Sequence, residues 1–171
     1  MKYEIIDNFL PKDEFERLQT FVMSGNFDWY WNKSITFPEN SHHDENTSSC
    51  FTHNLFTRNF DYTLSGFYKQ FFIIEQTLEV KALIRMKANL YPSTKELVTH
   101  ATHSDYDYQH KGCIFSINTC DGGTILEDGE MINSVANRAL LFDTSQNSWH
   151  GVSKIKCPKK QYRKSLAIYF L

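Results

Sequence analysis

A chain of 171 residues with 41% hydrophobic and 22% charged side chains has the composition of one globular domain, which excludes a disordered chain and a bundle of membrane spans. Its formal net charge of -2 exerts no general pull toward nucleic acid or an anionic membrane. The 14 Phe and 9 Tyr favour a β-rich core, because aromatic side chains pack well on a pleated surface.

The N-terminal stretch MKYEIIDNFLPKDEF has no apolar leader region, and runs such as Phe71 to Ile74 are far too short to span a bilayer. A cytoplasmic protein without a membrane anchor is expected. Cys50, Cys113, Cys120 and Cys157 show no paired CxxC spacing, so they read as reduced thiols rather than as disulfides or a zinc site.

In chain order, Lys2 to Ile6 reads as a short strand. Pro11 at a first helical position, Phe15, Leu18, Phe21 and Val22 at helical spacing, and a stop at Ser24-Gly25 predict a helix. Phe27 to Asn32 alternates as a strand does, placing Phe27, Trp29 and Trp31 on one side, as core or as the lining of a cleft. Ser41 to Ser49, which contains His42-His43, reads as a polar loop. Phe51 to Phe56 is a further strand, and Phe67, Phe71, Ile74 and Leu78 mark a second helix with a buried stripe.

From Ala82 the period changes to two. Ile84, Met86, Ala88 and Leu90 alternate with Arg85, Lys87, Asn89 and Tyr91, so one face is apolar and the other polar. Short strands follow at Gly112 to Asn118, Thr124 to Leu126, Glu130 to Ile132, Arg138 to Asp143, Trp149 to Val152 and Arg163 to Leu171. Asp121-Gly122-Gly123 and Asp128-Gly129 supply positive-φ residues for the turns, the second with hairpin geometry. Strands at this spacing after helical segments predict a mainly β fold with N-terminal helices, the strands forming a jelly-roll, cupin-like barrel, the double-stranded β-helix. The whole of 1–171 reads as one domain, with 1–80 as a helical and loop support region and 81–171 as the β-helix core.

Two positions apart on an extended chain, His103 and Asp105 point to the same side. An imidazole and a carboxylate there could share a metal, and His150 from a distant strand would complete a two-His, one-carboxylate set of the kind that suits Fe(II). His100 falls on the opposite side. Arg163, Ser165, Ala167 and Tyr169 share one face of the last strand, opposite Leu166, Ile168 and Phe170. An inward Arg and Ser are costly to bury unless an anion satisfies them, and a carboxylate gripped by both arms of the guanidinium would do so.

With NLYP at Asn89 to Pro92, His-x-Asp at His103 and Asp105, CIFSIN followed by DGGTIL, RALLFDTSQNSWHGV ending beyond His150, and RKSLAIYF from Arg163, the chain resembles the Fe(II)- and 2-oxoglutarate-dependent oxygenases. The resemblance is to their prolyl-4-hydroxylase-like branch and covers roughly Ala82 to Leu171. It implies that His103, Asp105 and His150 bind Fe(II), that Arg163, beside Ser165, pairs with the distal carboxylate of 2-oxoglutarate, and that Tyr91 faces the cosubstrate. It further implies hydroxylation of a C–H bond by O₂, with release of succinate and CO₂.

Many members carry a Tyr on the CIFSIN strand that also reaches the distal carboxylate, whereas Ser116 stands here. Lys87 or Asn89, on the face of Tyr91, is expected to contribute in its place. The expected partner is a small molecule or a peptide, with proline suggested by analogy. A non-catalytic jelly-roll module that binds a metal or a small acid is the alternative.

Arg138 either ends a strand or lines the substrate cleft, and His53 and His110 read as structural or exposed. Lys154, Lys156, Lys159, Lys160, Arg163 and Lys164 make a basic run, read as a solvated loop from Lys154 to Lys164, with recruitment of nucleic acid as its alternative.

Overall fold

The computed structural model describes residues 2–33, 49–58, 62–100, 103, 105–106, 108–144, 151–152 (backbone) and 162–171. His42-His43, Trp149, His150 and the lysines between 154 and 160 lie outside the described residues.

Strand β1 (Tyr3–Ile6) leads into helix α1 (Lys12–Met23). Pro11 stands one position earlier than its sequence reading, as the N-cap with φ -51° and ψ 141°, where a missing N–H costs nothing. Asp13 and Glu14 in the first turn suit the positive end of the helix. Phe15, Leu18 and Val22 form the buried stripe. The helix stops where the Ser24 N–H and hydroxyl both donate to the Phe21 carbonyl, at 3.2 and 2.8 Å.

The strand expected over Phe27 to Asn32 shrinks to β2 (Tyr30–Asn32). Phe27 is drawn into a cluster with Phe21 and Phe67, at centroid distances of 5.5 and 5.6 Å, while Trp31 on the edge strand is 61% exposed. The three aromatics therefore do not share a face. Strands β3 (Cys50–Thr57) and β4 (Thr63–Leu64) follow. The second helical stripe is present, but its first turn is 3₁₀, Tyr68–Phe71, before α2 (Phe72–Thr77). Ser65 tightens this start, its hydroxyl accepting the Phe67 N–H and its carbonyl the Tyr68 N–H.

The remaining strands are β5 (Leu83–Pro92), β6 (His110–Ser116), β7 (Gly123–Ile125), β8 (Met131–Asn133), β9 (Arg138–Thr144), β10 (Gly151–Val152) and β11 (Tyr162–Phe170). A large sheet runs β1-β9-β6-β11-β5-β3-β2, with β4 also on β3, and a small one runs β10-β7-β8. Their pairings are antiparallel. This mainly β arrangement is consistent with a jelly-roll fold.

One face of the large sheet, with Met86, Ala88, Phe115, Leu166 and Ile168, packs against Leu18 and Val22 of α1 and against Phe71 and Ile74. On the opposite face Leu140, Phe142, Ala167 and Tyr169 meet Leu126 and Ile132 of the β7–β8 hairpin. A bulge alters the expected parity: Tyr169 pairs with Arg85 but Phe170 with Leu83. Two residues of β5 thus oppose one step of β11, and Ile84 joins the second cluster while Leu83 takes its place with Met86 in the first.

Gly129, at φ 87°, makes the β7–β8 turn, whereas neither Gly122 nor Gly123 has the positive φ expected of it. Gly123 is needed for space, since a Cβ there would collide with the Ile132 carbonyl across the hairpin. Lys164 also departs from its sequence reading. It lies in β11 on the α1 side, buried, with Nζ donating to the Val22 carbonyl at 2.9 Å and standing 5.1 Å from the centre of the Trp29 ring. No helix among the described residues is long and apolar enough to cross a membrane.

The start of the chain is fastened by Asn137, which is buried at φ 62°. Its amide donates to the Leu10 carbonyl and accepts the Leu10 N–H, both at 2.9 Å, and its backbone carbonyl accepts the Phe9 N–H. Asn137→Ala removes both side-chain bonds and puts a less tolerant residue at a left-handed position. Leaving buried polar groups unsatisfied costs about 1–3 kcal/mol each, so a loss of roughly 3 kcal/mol in urea unfolding is expected.

Candidate active site

The antiparallel register of β5 and β11 turns two alternating strands into one patterned surface. Arg163 stands opposite Tyr91, Ser165 opposite Asn89, Ala167 opposite Lys87 and Tyr169 opposite Arg85. Directly paired residues share a face. On the other side of β11, β6 sets Ser116 beside Ser165 and Ile114 beside Ala167. A cavity lies on this face, with Thr124 from β7 and with His103 and Asp105 from the segment between β5 and β6 in its wall.

At one end, Arg163 is only 2% exposed. Its Nη1 donates to the Gly123 carbonyl at 2.5 Å and its Nη2 to the Thr124 hydroxyl at 2.9 Å, and its guanidinium carbon lies 5.4 Å from the centre of the Tyr91 ring. Burial lowers the pKa of Arg163, while Tyr91 and Cys120 raise it. A guanidinium nevertheless stays charged in a protein. Burial raises the Tyr91 hydroxyl, which is therefore neutral. Asn89 and Ser165 are buried beside this pair.

Lys87 is partly buried farther along β5. Burial brings its amine down to about 8, helped by the Arg85 charge, while Asp105 and Cys50 act the other way.

At the opposite end the side chain of Asp105 is 9% exposed and that of His103 is 19% exposed. Asp105 Oδ1 accepts a hydrogen bond from Arg85 Nη2, and Oδ2 accepts one from the Tyr169 hydroxyl at 2.6 Å. Burial, followed by the Asp105 charge, raises the Tyr169 pKa and keeps it a donor. His103 Nε2 stands 3.8 Å from Oδ2, as the same-side reading of His-x-Asp requires.

One ion at the usual distance of about 2.1 Å from imidazole nitrogen and carboxylate oxygen can span that gap. Nitrogen and oxygen donors also suit a divalent iron centre. The described residues contain no group of three such ligands, and His150, expected as the third, lies outside them.

Of the other candidates, His100 does not line the cavity. His53 is structural, its Nδ1 2.8 Å from the Asp28 carbonyl and its Nε2 2.7 Å from the Ser65 hydroxyl. His110 is buried, with Nδ1 2.8 Å from the Tyr108 carbonyl. Arg138 begins β9 and forms a two-pronged pair with Asp7 at 2.6 and 2.9 Å, and it is not among the residues that line the cavity. Sequence reasoning missed the contacts of Arg85 and Tyr169 with Asp105. Strand parity places both on the cavity face, and that is the available signal.

The chain has the fold of the 2-oxoglutarate-Fe(II) oxygenases, in its prolyl-hydroxylase-like form. It superposes on a prolyl hydroxylase from Trichoplax adhaerens, solved in complex with a hypoxia inducible factor oxygen degradation domain peptide, with a TM-score of 0.68 at 13% identity, covering 98% of this chain and 83% of that one. The viral collagen prolyl hydroxylase of Paramecium Bursaria Chlorella virus-1, solved with 2-oxoglutarate, gives 0.62 at 12% identity over 99% and 94% of the two chains. The non-heme alpha ketoglutarate dependent epimerase of nogalamycin biosynthesis gives 0.64 at 11% identity over 99% and 77%. No protein-family model and no curated protein sequence matches the chain.

Proposed function

We propose that this protein is an Fe(II)- and 2-oxoglutarate-dependent dioxygenase that hydroxylates a C–H bond of a peptidyl or small-molecule substrate. The observation that carries the reading is the shared cavity: buried Arg163 and the His103–Asp105 pair line its two ends. In this reading residues 1–171 act as one domain, 1–80 supporting and 81–171 closing as a double-stranded β-helix barrel.

His103, Asp105 and His150 would hold the iron, and Arg163 with Ser165 would grip the distal carboxylate of 2-oxoglutarate. Tyr91, Asn89 and Lys87 would line its flank. A bidentate carboxylate grip would use guanidinium donors of Arg163 beyond those given to Gly123 and Thr124. When bound, the iron centre couples oxidative decarboxylation of 2-oxoglutarate to oxidation of the substrate C–H bond by O₂. The chain's own part is to orient the oxo-acid, exclude water and present the substrate. A peptidyl, prolyl substrate is supported by the peptide bound to the Trichoplax adhaerens enzyme.

Anaerobic addition of Fe(II) and 2-oxoglutarate should produce a weak metal-to-ligand absorption band in the visible, and its absence would remove the reading. Succinate release screened against peptides, free amino acids and nucleosides then identifies the substrate.

The Lys87 amine supplies a pH signature. Its charged form prevails below about 8, so 2-oxoglutarate affinity is expected to decline as pH rises through that value. Lys87→Met should bind more weakly and lose this dependence. An unchanged slope in the variant would take Lys87 out of cosubstrate binding.

A further inference from the structure

We infer that Arg85 and Tyr169 are positioning residues for Asp105, each fixing one carboxylate oxygen so that Oδ2 is turned toward His103. The inference rests on the reading of Asp105 as a metal ligand and adds the groups that aim it.

Asp105 does not belong to a strand; it comes from the segment between β5 and β6. A carboxylate there can rotate about its last torsion, whose preference is broad and two-fold. Two donors remove that freedom. Arg85 Nη2 holds Oδ1, and the Tyr169 hydroxyl holds Oδ2 at 2.6 Å.

The two jaws are directly opposite each other on β5 and β11, which pair along their whole lengths. They also brace one another. The Arg85 guanidinium carbon lies 4.7 Å from the centre of the Tyr169 ring and 5.4 Å from that of Tyr106, and Tyr106 packs edge-on against Tyr169 at 5.7 Å. Tyr106 follows Asp105 in the chain, so the ligand segment is also pinned just past the carboxylate.

A buried ion pair with only a structural role would have no required direction. Here the oxygen held by the neutral phenol is the one 3.8 Å from His103 Nε2, and the charged guanidinium is on the other oxygen. This division keeps the like charge of Arg85 away from the His103 side of the carboxylate, where a cation would sit. Such outer partners set the orientation and basicity of a ligating group.

The test uses Mn(II) alone, followed by the electron paramagnetic resonance signal of the free ion, on the whole chain and its Tyr169→Phe, Arg85→Lys and Arg85→Gln variants, each with its melting temperature. Tyr169→Phe keeps the ring contacts and loses one hydroxyl. Each variant is expected to bind Mn(II) about 10- to 100-fold more weakly, with Tyr169→Phe melting close to the parent. Affinity within twofold of the parent in Tyr169→Phe and Arg85→Lys, or a lowered melting temperature with unchanged affinity, overturns the inference alone. Tighter binding by Arg85→Gln also overturns it, because Arg85 would then compete with the metal. Failure of the parent protein to bind Mn(II) overturns both the inference and the metal-centre reading beneath it.

Discussion

Asp105→Ala is expected to abolish metal-dependent turnover and to destabilise the fold in the same stroke. The catalytic loss follows from removing the one anionic donor of the proposed iron site, whose two imidazoles would then carry no compensating charge. The loss of stability has a separate origin. The Arg85 side chain is only 20% exposed, and the substitution strips its carboxylate while leaving the Tyr169 hydroxyl without its acceptor.

Breaking a buried pair from one side costs about 3–5 kcal/mol, because the remaining charge is uncompensated. Partial exposure of Arg85 puts the expected value near the lower end. Asp105→Asn separates the two effects, since an amide oxygen can still accept from Tyr169 or Arg85. It should unfold at a urea concentration closer to the parent's and remain as inactive as Asp105→Ala. Substrate-dependent succinate release by Asp105→Asn at the parent rate would mean that the charge of Asp105 is not required.

The contrast between Arg163 and Ile84 shows what local periodicity carries. Arg163, Ser165, Ala167 and Tyr169 line the cavity as their parity predicts, because β11 pairs without interruption through this stretch. Ile84 changes face because the bulge forms between two strands and is written in neither alone. Trp31 fails similarly: its alternation with Trp29 and Phe27 is genuine in the sequence, but Phe27 is captured by Phe21 and Phe67, and the strand begins only at Tyr30.

The charged neighbours of Lys164 point to a solvated loop, whereas its partners are the Val22 carbonyl and the Trp29 ring, far away in the chain. The approach of His103 to Asp105 was legible because it depends on two-residue spacing. The clamp of Arg85 and Tyr169 on that carboxylate was not, since it requires the register of β5 against β11 as well as the path of the intervening segment.

Arg163→Lys is expected to weaken 2-oxoglutarate binding by roughly 100-fold while leaving turnover at saturating cosubstrate much less affected. A lysine retains the charge but replaces a planar fork by a point donor, and losing one charge-assisted hydrogen bond of about 1.5–3 kcal/mol corresponds to roughly one to two orders of magnitude in Kd. A shorter reach and the loss of the second bond take the effect to the upper end. Arg163→Ala weakens binding further and adds a structural loss, because the Gly123 carbonyl and the Thr124 hydroxyl lose the donors that now reach them. Arg163→Met fills most of the same space without the cost of burying a charge, and should therefore melt closer to the parent than Arg163→Ala while binding no more tightly. Anaerobic titration of the Fe(II) protein with 2-oxoglutarate reads all three variants directly. Parent-like affinity in folded Arg163→Met would show that this buried guanidinium serves only the β7 contacts, and the oxo-acid would have to be gripped from elsewhere on the face.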